Sequence, residues 1–483
     1  MPPARRPALA ALLCALAWGC SAPAPAPFSR CAVARPALTS GRLHTRGTAL
    51  VDELGRQVFL RGFDAGSRSK WAPYAPFDFA PGSAADYRDK LGRYLDGAAG
   101  LGVDVLRVPF AWAAVEPTRG SDDADFLARH DQLLDAAWAR GIRTVVDFHQ
   151  DVYAENFCGD GFPAWTLPGT PPAPHHDCPR WFDAYGYPAV RAAFDAFWAD
   201  GSTVQADYRA LWTRMAARHK DRPGVIGFEP FNEPAAGTAA EATFEATTLT
   251  AFFDRMAALV NAAAPDALVF IDPPGVASSS HVSHLGALTG SGLVFAPHYY
   301  QPLTIFGGTG RGDLVESDLR SVIAPATAWG IPAFLGEWSA GHAAPDAADY
   351  VAAHHDAFDA LGLSETQWEY SVSTEVWNAE PLDVAAADGS FLPLVEGMRR
   401  PHVAALAGTD LVVRRDGDAF DITFTPRPAA DPAETITEVV VPDGVALDVT
   451  LTGACLDDTH PRRLLVAPTA GAAQVHLSLT RRR

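Results

Sequence analysis

The sequence predicts an α/β fold: a (β/α)8 TIM barrel followed by a C-terminal antiparallel β-sandwich domain. Three observations carry this. From about Gln57 to Asn378, short apolar runs alternate with Ala-rich helical segments. The runs are apolar at their start and polar at their end, as suits parallel strands covered by helices. After about Gly408 the chain turns to strict apolar–polar alternation broken by turn residues.

The eight strand candidates are "VFLRGF" (58–63), "VDVLRVPF" (103–110), "TVVDFH" (144–149), "GVIGFEPFN" (224–232), "LVFIDPP" (268–274), "LVFAPHYY" (293–300), "PAFLGEWS" (332–339) and "QWEYSVSTEVW" (367–377). Segments such as "FLARHDQLLDAAWARG" and "FDRMAALVNAAAPD" supply the helical crossovers. A long insert, Val152 to Pro188, follows the third strand and is rich in Gly, Pro, His and aromatics; a loop of that length in a compact domain points to function or to disorder. The alternating runs "DLVVRRDG", "AFDITFTP", "TEVVVPDG", "ALDVTLTG", "RLLVAP" and "QVHLSLT" form the second domain. The expected division is 1–27 signal peptide and linker, 28–405 (β/α)8 domain, 406–483 β-sandwich.

The 483 residues are 48% apolar and carry a net charge of −19, which argues against nucleic acid and against electrostatic docking on anionic membranes. The basic start and the apolar run Ala8–Trp18 read as a bacterial-type secretory signal, so the protein is expected to be secreted or held at the cell surface. Cys20 after Gly19 loosely matches a lipoprotein cleavage site, the alternative to full release. Four further cysteines, Cys31, Cys158, Cys178 and Cys455, form an even set in an exported chain. They allow three connectivities; Cys158–Cys178 is favoured because it closes one short loop, and Cys31–Cys455 would then tie the chain ends.

In such a barrel the chemistry lies at the C-terminal ends of the strands. The polar strand ends give Arg107, His149, Asp151, Asn232, Glu233, His298, Tyr300, Glu337 and Trp377. Glu233 and Glu337 are carboxylic acids on separate strands, the fourth and the seventh, which is what glycoside hydrolysis requires. Taken alone, Asn-Glu-Pro reads equally as a helix start and Gly-Glu-Trp as a strand-end ion pair; together in this series they read as a catalytic pair. Glu229, inside the run, reads as structural. The His175-His176-Asp177 run reads as a solvated loop rather than a metal site, and no cofactor is expected.

"LRVPFAW", "FEPFNEP" and "FLGEW" resemble glycoside hydrolase family five over roughly residues 45 to 400. The resemblance implies a retaining mechanism with Glu233 as acid/base and Glu337 as nucleophile. Arg107 would orient Glu337, and Asn232 would meet the sugar 2-hydroxyl. His149, His298 and Tyr300 would line the subsite, with Trp377 as its floor. "SRSKWAPY" (67–74), "DFHQDVYAENFCGDGFPAW" (147–165) and the β domain narrow the resemblance to endoglycoceramidases and related glycosylceramide hydrolases. This implies sugar contacts from Lys70 and Asp151. Asp64, in "RGFD", stands where such enzymes commonly have Asn.

The expected function is a retaining β-glycosidase acting at the bond between glycan and ceramide, as a monomer that touches a lipid or micelle surface. Trp71, Tyr74, Phe77 and Phe79 after the first strand, Phe162, Trp165 and Leu167 after the third, and Leu303, Ile305 and Phe306 after the sixth are the apolar residues offered for the tail. The alternatives are a family-five endo-β-glucanase or mannanase on polysaccharides and, in another class, a carbohydrate-binding pseudoenzyme.

Overall fold

The computed structural model describes residues 28–482; the signal-peptide reading and Cys20 fall outside them. Eight parallel strands form the barrel: β1 (Arg61–Asp64), β2 (Val105–Phe110), β3 (Arg143–Phe148), β4 (Val225–Glu229), β5 (Leu268–Ile271), β6 (Leu293–Phe295), β7 (Phe334–Leu335) and β8 (Ser364–Gln367). Neighbours pair in that order, β8 returns to β1, and a parallel bridge from Phe295 to Ala333 closes the ring. The strands are buried on both faces, which is why they read as continuous apolar runs. Gly227 on β4 is required by this packing: a Cβ there would lie 2.4 Å from the carbonyl oxygen of Leu268.

The two crossover segments singled out in the sequence are helices Ala124–Trp138 and Thr250–Ala263. The side chain of Asp123 caps the first by accepting from the Phe126 N–H. The eighth strand departs from expectation. It is short and polar, Ser364–Gln367, and "WEYSVSTEVW" is mostly loop, with Trp377 in a 3-10 turn, Trp377–Ala379.

The C-terminal sandwich contains the six expected strands and two more, His402–Leu406 and Ala454–His460, the second too polar in sequence to signal a strand. One sheet has four strands, Gly408–Asp416, Ala419–Pro426, Val475–Arg481 and Leu447–Thr452. The other has seven and takes Leu43–Arg46, Ala49–Asp52 and Gln57–Val58 from before the barrel, so it crosses the division drawn at 405/406. Alternate residues such as Phe420, Ile422, Phe424 and Val475, Leu477, Leu479 fill the space between the sheets.

The same N-terminal hairpin closes the floor of the barrel. Leu43 and Leu50 pack with Val105, Val145, Ile226, Phe270 and Phe334 in one buried cluster. Cys31 is bonded to Cys455, fastening the segment before the hairpin to the sandwich. Asp104, at the foot of β2, accepts from Arg463 at 2.8 Å and pairs with His402 at 2.7 Å, joining the domains through buried charge.

Candidate active site

Arg107 organises the C-terminal mouth of the barrel. It projects from β2, is fully buried, and meets four carboxyl groups from four strands. Its Nη1 donates to Glu337 Oε1 at 2.8 Å and to Asp64 Oδ1 at 3.0 Å. Its Nε and Nη2 grip both oxygens of Glu229, at 3.0 and 2.7 Å. Nη2 also donates to Asn232 Oδ1 at 2.7 Å and lies 3.1 Å from Asp147. One guanidinium cannot neutralise four buried anions. Burial therefore pushes Asp64 and Asp147 well above the usual carboxylate range, against the pull of Arg107. A neutral Asp64 donates or accepts much as an amide would, which explains how it can replace Asn. Glu229 reads as structural here too: its two oxygens fix Arg107.

Glu337, just beyond β7, is held by two donors. Arg107 binds one oxygen, and the Tyr300 hydroxyl donates to the other at 3.0 Å. Burial raises its pKa, opposed by His298 and Arg107. Glu233 lies four residues past the end of β4, with φ of 41°, a strained left-handed backbone that turns its side chain toward Glu337. Its N–H donates to Asp272 at 2.7 Å, Ser278 Oγ donates to its Oε1 at 3.1 Å, and His298 Nδ1 lies 2.8 Å from the same oxygen. Burial, then the charge of Asp151, pushes Glu233 up to about 7. Burial holds His298 down at about 4, so its ring is neutral at neutral pH. Gly275 makes room for this acid: a Cβ there would sit 2.5 Å from Glu233 Oε2.

A carboxylate oxygen of Glu233, one of Glu337 and a ring nitrogen of His298 all lie within 4.8 Å of one another. That agrees with the carboxyl separation of about 5–5.5 Å in retaining glycosidases rather than the wider gap of inverting ones. The pair faces a cavity of about 430 Å³. Lys70 and Asp151 line it as an ion pair buried against tryptophan, with Lys70 Nζ 4.3 Å from the Trp368 ring and 3.8 Å from the Trp377 ring. His149 stacks on Trp368 at 5.1 Å, and its Nδ1 pairs with Asp147 at 2.8 Å.

Of the sequence candidates, Lys70, His149, Asp151, Asn232, Glu233, Tyr300 and Glu337 line the cavity, and Arg107 and His298 stand directly behind it. Trp377 does not line it; Trp368, one residue past β8, does. Reading β8 as too long put the floor on the wrong tryptophan. Sequence reasoning also missed Ser278, Asp272, Glu380 and the insert residues Trp181, Phe182 and Tyr185. The aromatic density of the insert was the available signal for the last three.

Cys158 and Cys178 are bonded, and Asn378 clamps both ends of that loop. Its Nδ2 donates to Cys158 O at 2.8 Å and its Oδ1 accepts from Cys178 N at 3.0 Å. Of the apolar residues offered for a lipid tail, Trp71, Phe77, Phe162 and Leu167 are buried and pack their own loops. Those after β6 are different: Leu303 and Phe306 are 65% and 66% exposed, and Ile305 and Phe306 line the cavity.

Two carboxyl groups at this spacing, one kept neutral and the other cradled by a cation at the C-terminal end of a (β/α)8 barrel, define a retaining glycosidase. The chain belongs to glycosyl hydrolase family 5: the family model described as cellulase matches residues 72–374. It is 26% identical to Endoglycoceramidase I of Rhodococcus hoagii over 476 residues, covering 92% of this chain and 89% of that protein. An endoglycoceramidase of Cyanea nozakii is 30% identical over 214 residues, covering 39% of this chain and 40% of that protein. Among solved structures, endo-glycoceramidase II from Rhodococcus sp. in complex with ganglioside GM3 superposes with a TM-score of 0.76 at 26% identity, covering 91% of this chain and 100% of that one.

Proposed function

We propose that this glycosidase cleaves the bond between glycan and ceramide in glycosphingolipids, releasing an intact oligosaccharide. The observation that carries it is the division of the cavity. Lys70, Asp151 and Trp368 offer charge and an aromatic face to sugar. Phe182, Val276, Ile305 and Phe306 form an apolar lip, with Leu303 exposed beside it, suited to a ceramide tail. The similarity to endoglycoceramidases supports the same reading.

In the reaction, Glu337 attacks the anomeric carbon while Glu233, protonated through its raised pKa, gives its proton to the departing ceramide oxygen. The glycosyl–Glu337 ester is then hydrolysed by a water that loses its proton to Glu233, which restores both groups. Arg107 and Tyr300 hold the nucleophile in place. Asn232, itself fixed by Arg107, faces the sugar 2-hydroxyl. The protein works as an exported monomer at a lipid or micelle surface, with a signal peptide and linker over residues 1–27.

Incubation with a ganglioside, a glucosylceramide and a soluble β-glucan tests the reading. The expected products are free ceramide and the intact glycan. Cleavage of the β-glucan with no action on any glycosylceramide overturns it in favour of a polysaccharide hydrolase.

A further inference from the structure

A second cavity, of about 420 Å³, lies at the foot of the barrel, where the chain before the N-terminal hairpin, β3 and the sandwich meet. It is at the opposite end from the catalytic pair. β3 runs from Arg143, on this cavity, to Phe148 and then His149 at the mouth, a span of about 20 Å at about 3.3 Å per residue. Its walls are of two kinds. Trp138, Leu38, Val58 and Ala404 are apolar. Against them stand Arg35, Arg56, Arg143 and Arg463, with Asp104 and Glu438.

Three of the four arginines are paired. Arg56 bonds Asp52 and Glu438, Arg463 donates to Asp104 at 2.8 Å, and Arg35 donates to Glu438 at 3.2 Å. Arg143 is different. It is only 8% exposed, and its Nε–H goes to the Gly41 carbonyl at 2.9 Å. Among the described residues neither of its Nη atoms has a hydrogen-bond or ion-pair partner. Burial pulls its pKa down against the charge of Asp104, as happens to a buried cation short of counter-charge. Four cations against the carboxylates Asp52, Asp104 and Glu438 leave the cluster positive, in a chain whose net charge is −19.

We propose that this cavity binds a small carboxylate with an apolar body: the two Nη of Arg143 donate to the two carboxylate oxygens, and Trp138 and Leu38 cover the rest of the ligand. A guanidinium fork matches a carboxylate through two parallel hydrogen bonds, which an uncharged ligand does not reproduce. The bound anion supplies the missing counter-charge. It also touches the chain before the hairpin, the barrel foot and the sandwich at once, so its binding stabilises the folded protein.

Titration calorimetry and melting curves with sodium benzoate at about pH 7 and constant ionic strength test this, with benzyl alcohol as the uncharged analogue and inorganic phosphate as the bare anion. The wild type should bind benzoate with a Kd of about 1 mM or tighter and melt higher in its presence. Benzyl alcohol and phosphate should each bind at least about tenfold more weakly. Arg143→Lys keeps the charge and loses the fork, and should weaken benzoate binding about tenfold. Leu38→Trp fills the cavity and leaves Arg143 in place; it should abolish binding, which assigns the effect to this cavity rather than the catalytic one. If Arg143→Lys does not fold, Leu38→Trp decides alone. No binding of benzoate up to about 10 mM, equal affinity for benzyl alcohol, or unchanged affinity in Leu38→Trp overturns the proposal. Phosphate bound as tightly as benzoate overturns the assignment to a carboxylate with an apolar body. Neither readout depends on what the catalytic cavity hydrolyses.

Discussion

The Arg107 guanidinium donates to Glu337 Oε1 at 2.8 Å while both its outer edges are occupied by Glu229 and Asn232. The nucleophile's position is thus inherited from an ion pair buried one layer deeper. Arg107→Lys keeps the charge but loses the planar fork. We expect kcat to fall about 10²-fold or more with a lowered Tm, and Glu229→Gln to lower both as well. Circular dichroism melts beside steady-state kinetics check this; near-normal kcat in Arg107→Lys contradicts it.

The two catalytic carboxyl groups should separate by leaving group. Glu337→Gln should lose activity on every substrate by about 10²-fold or more, because no glycosyl ester forms. Glu233→Gln should lose as much on a lipid substrate, yet form the ester readily from a 2,4-dinitrophenyl glycoside, whose phenolate needs no proton. Rapid-quench kinetics should then show a burst followed by slow turnover in Glu233→Gln alone.

Glu233, at about 7, sets the alkaline limb of activity. On substrates that need an acid, kcat/KM should fall as pH rises through about 7. The sign for stability is the same. A carboxyl group whose folded pKa exceeds its unfolded value contributes stability that is fully present at low pH and lost as pH rises through the folded pKa. Glu233→Gln should therefore melt higher than the wild type at about pH 8, and the difference should vanish at about pH 4.

Burial also raises Asp64, against the pull of Arg107, which favours the uncharged form that Asn has by nature. Asp64→Asn should retain most of the activity and raise the Tm at alkaline pH. A loss of about 10²-fold in kcat would show that its proton, or its charge, matters to the reaction.

Leu303, Ile305 and Phe306 test the apolar lip. Changing all three to Ser should cost a glycosphingolipid substrate much more in kcat/KM than a soluble aryl glycoside, because remote binding energy is used in the transition state. Equal losses on both would detach this loop from lipid recognition.

The sequence by itself determined the barrel, the sandwich and the reacting pair. Strand runs that are apolar on both faces and polar at one end leave few places for a carboxyl group except the barrel mouth, so Glu233 and Glu337 are legible as site residues. Loop length favoured Cys158–Cys178 and left the Cys31–Cys455 pairing open; the structure contains both bonds. Tertiary structure alone decided the rest. Which tryptophan forms the floor depends on where a short polar strand stops, and Ser364–Gln367 has no apolar pattern to mark its end. Which aromatics face solvent depends on packing: Phe77 and Phe306 are the same residue type after two barrel strands, yet one is sealed in the core and the other is exposed. The pKa of Glu233 and the neutrality of Asp64 are set by desolvation and by a single shared Arg107, quantities that exist only once distant residues are brought within a few ångströms.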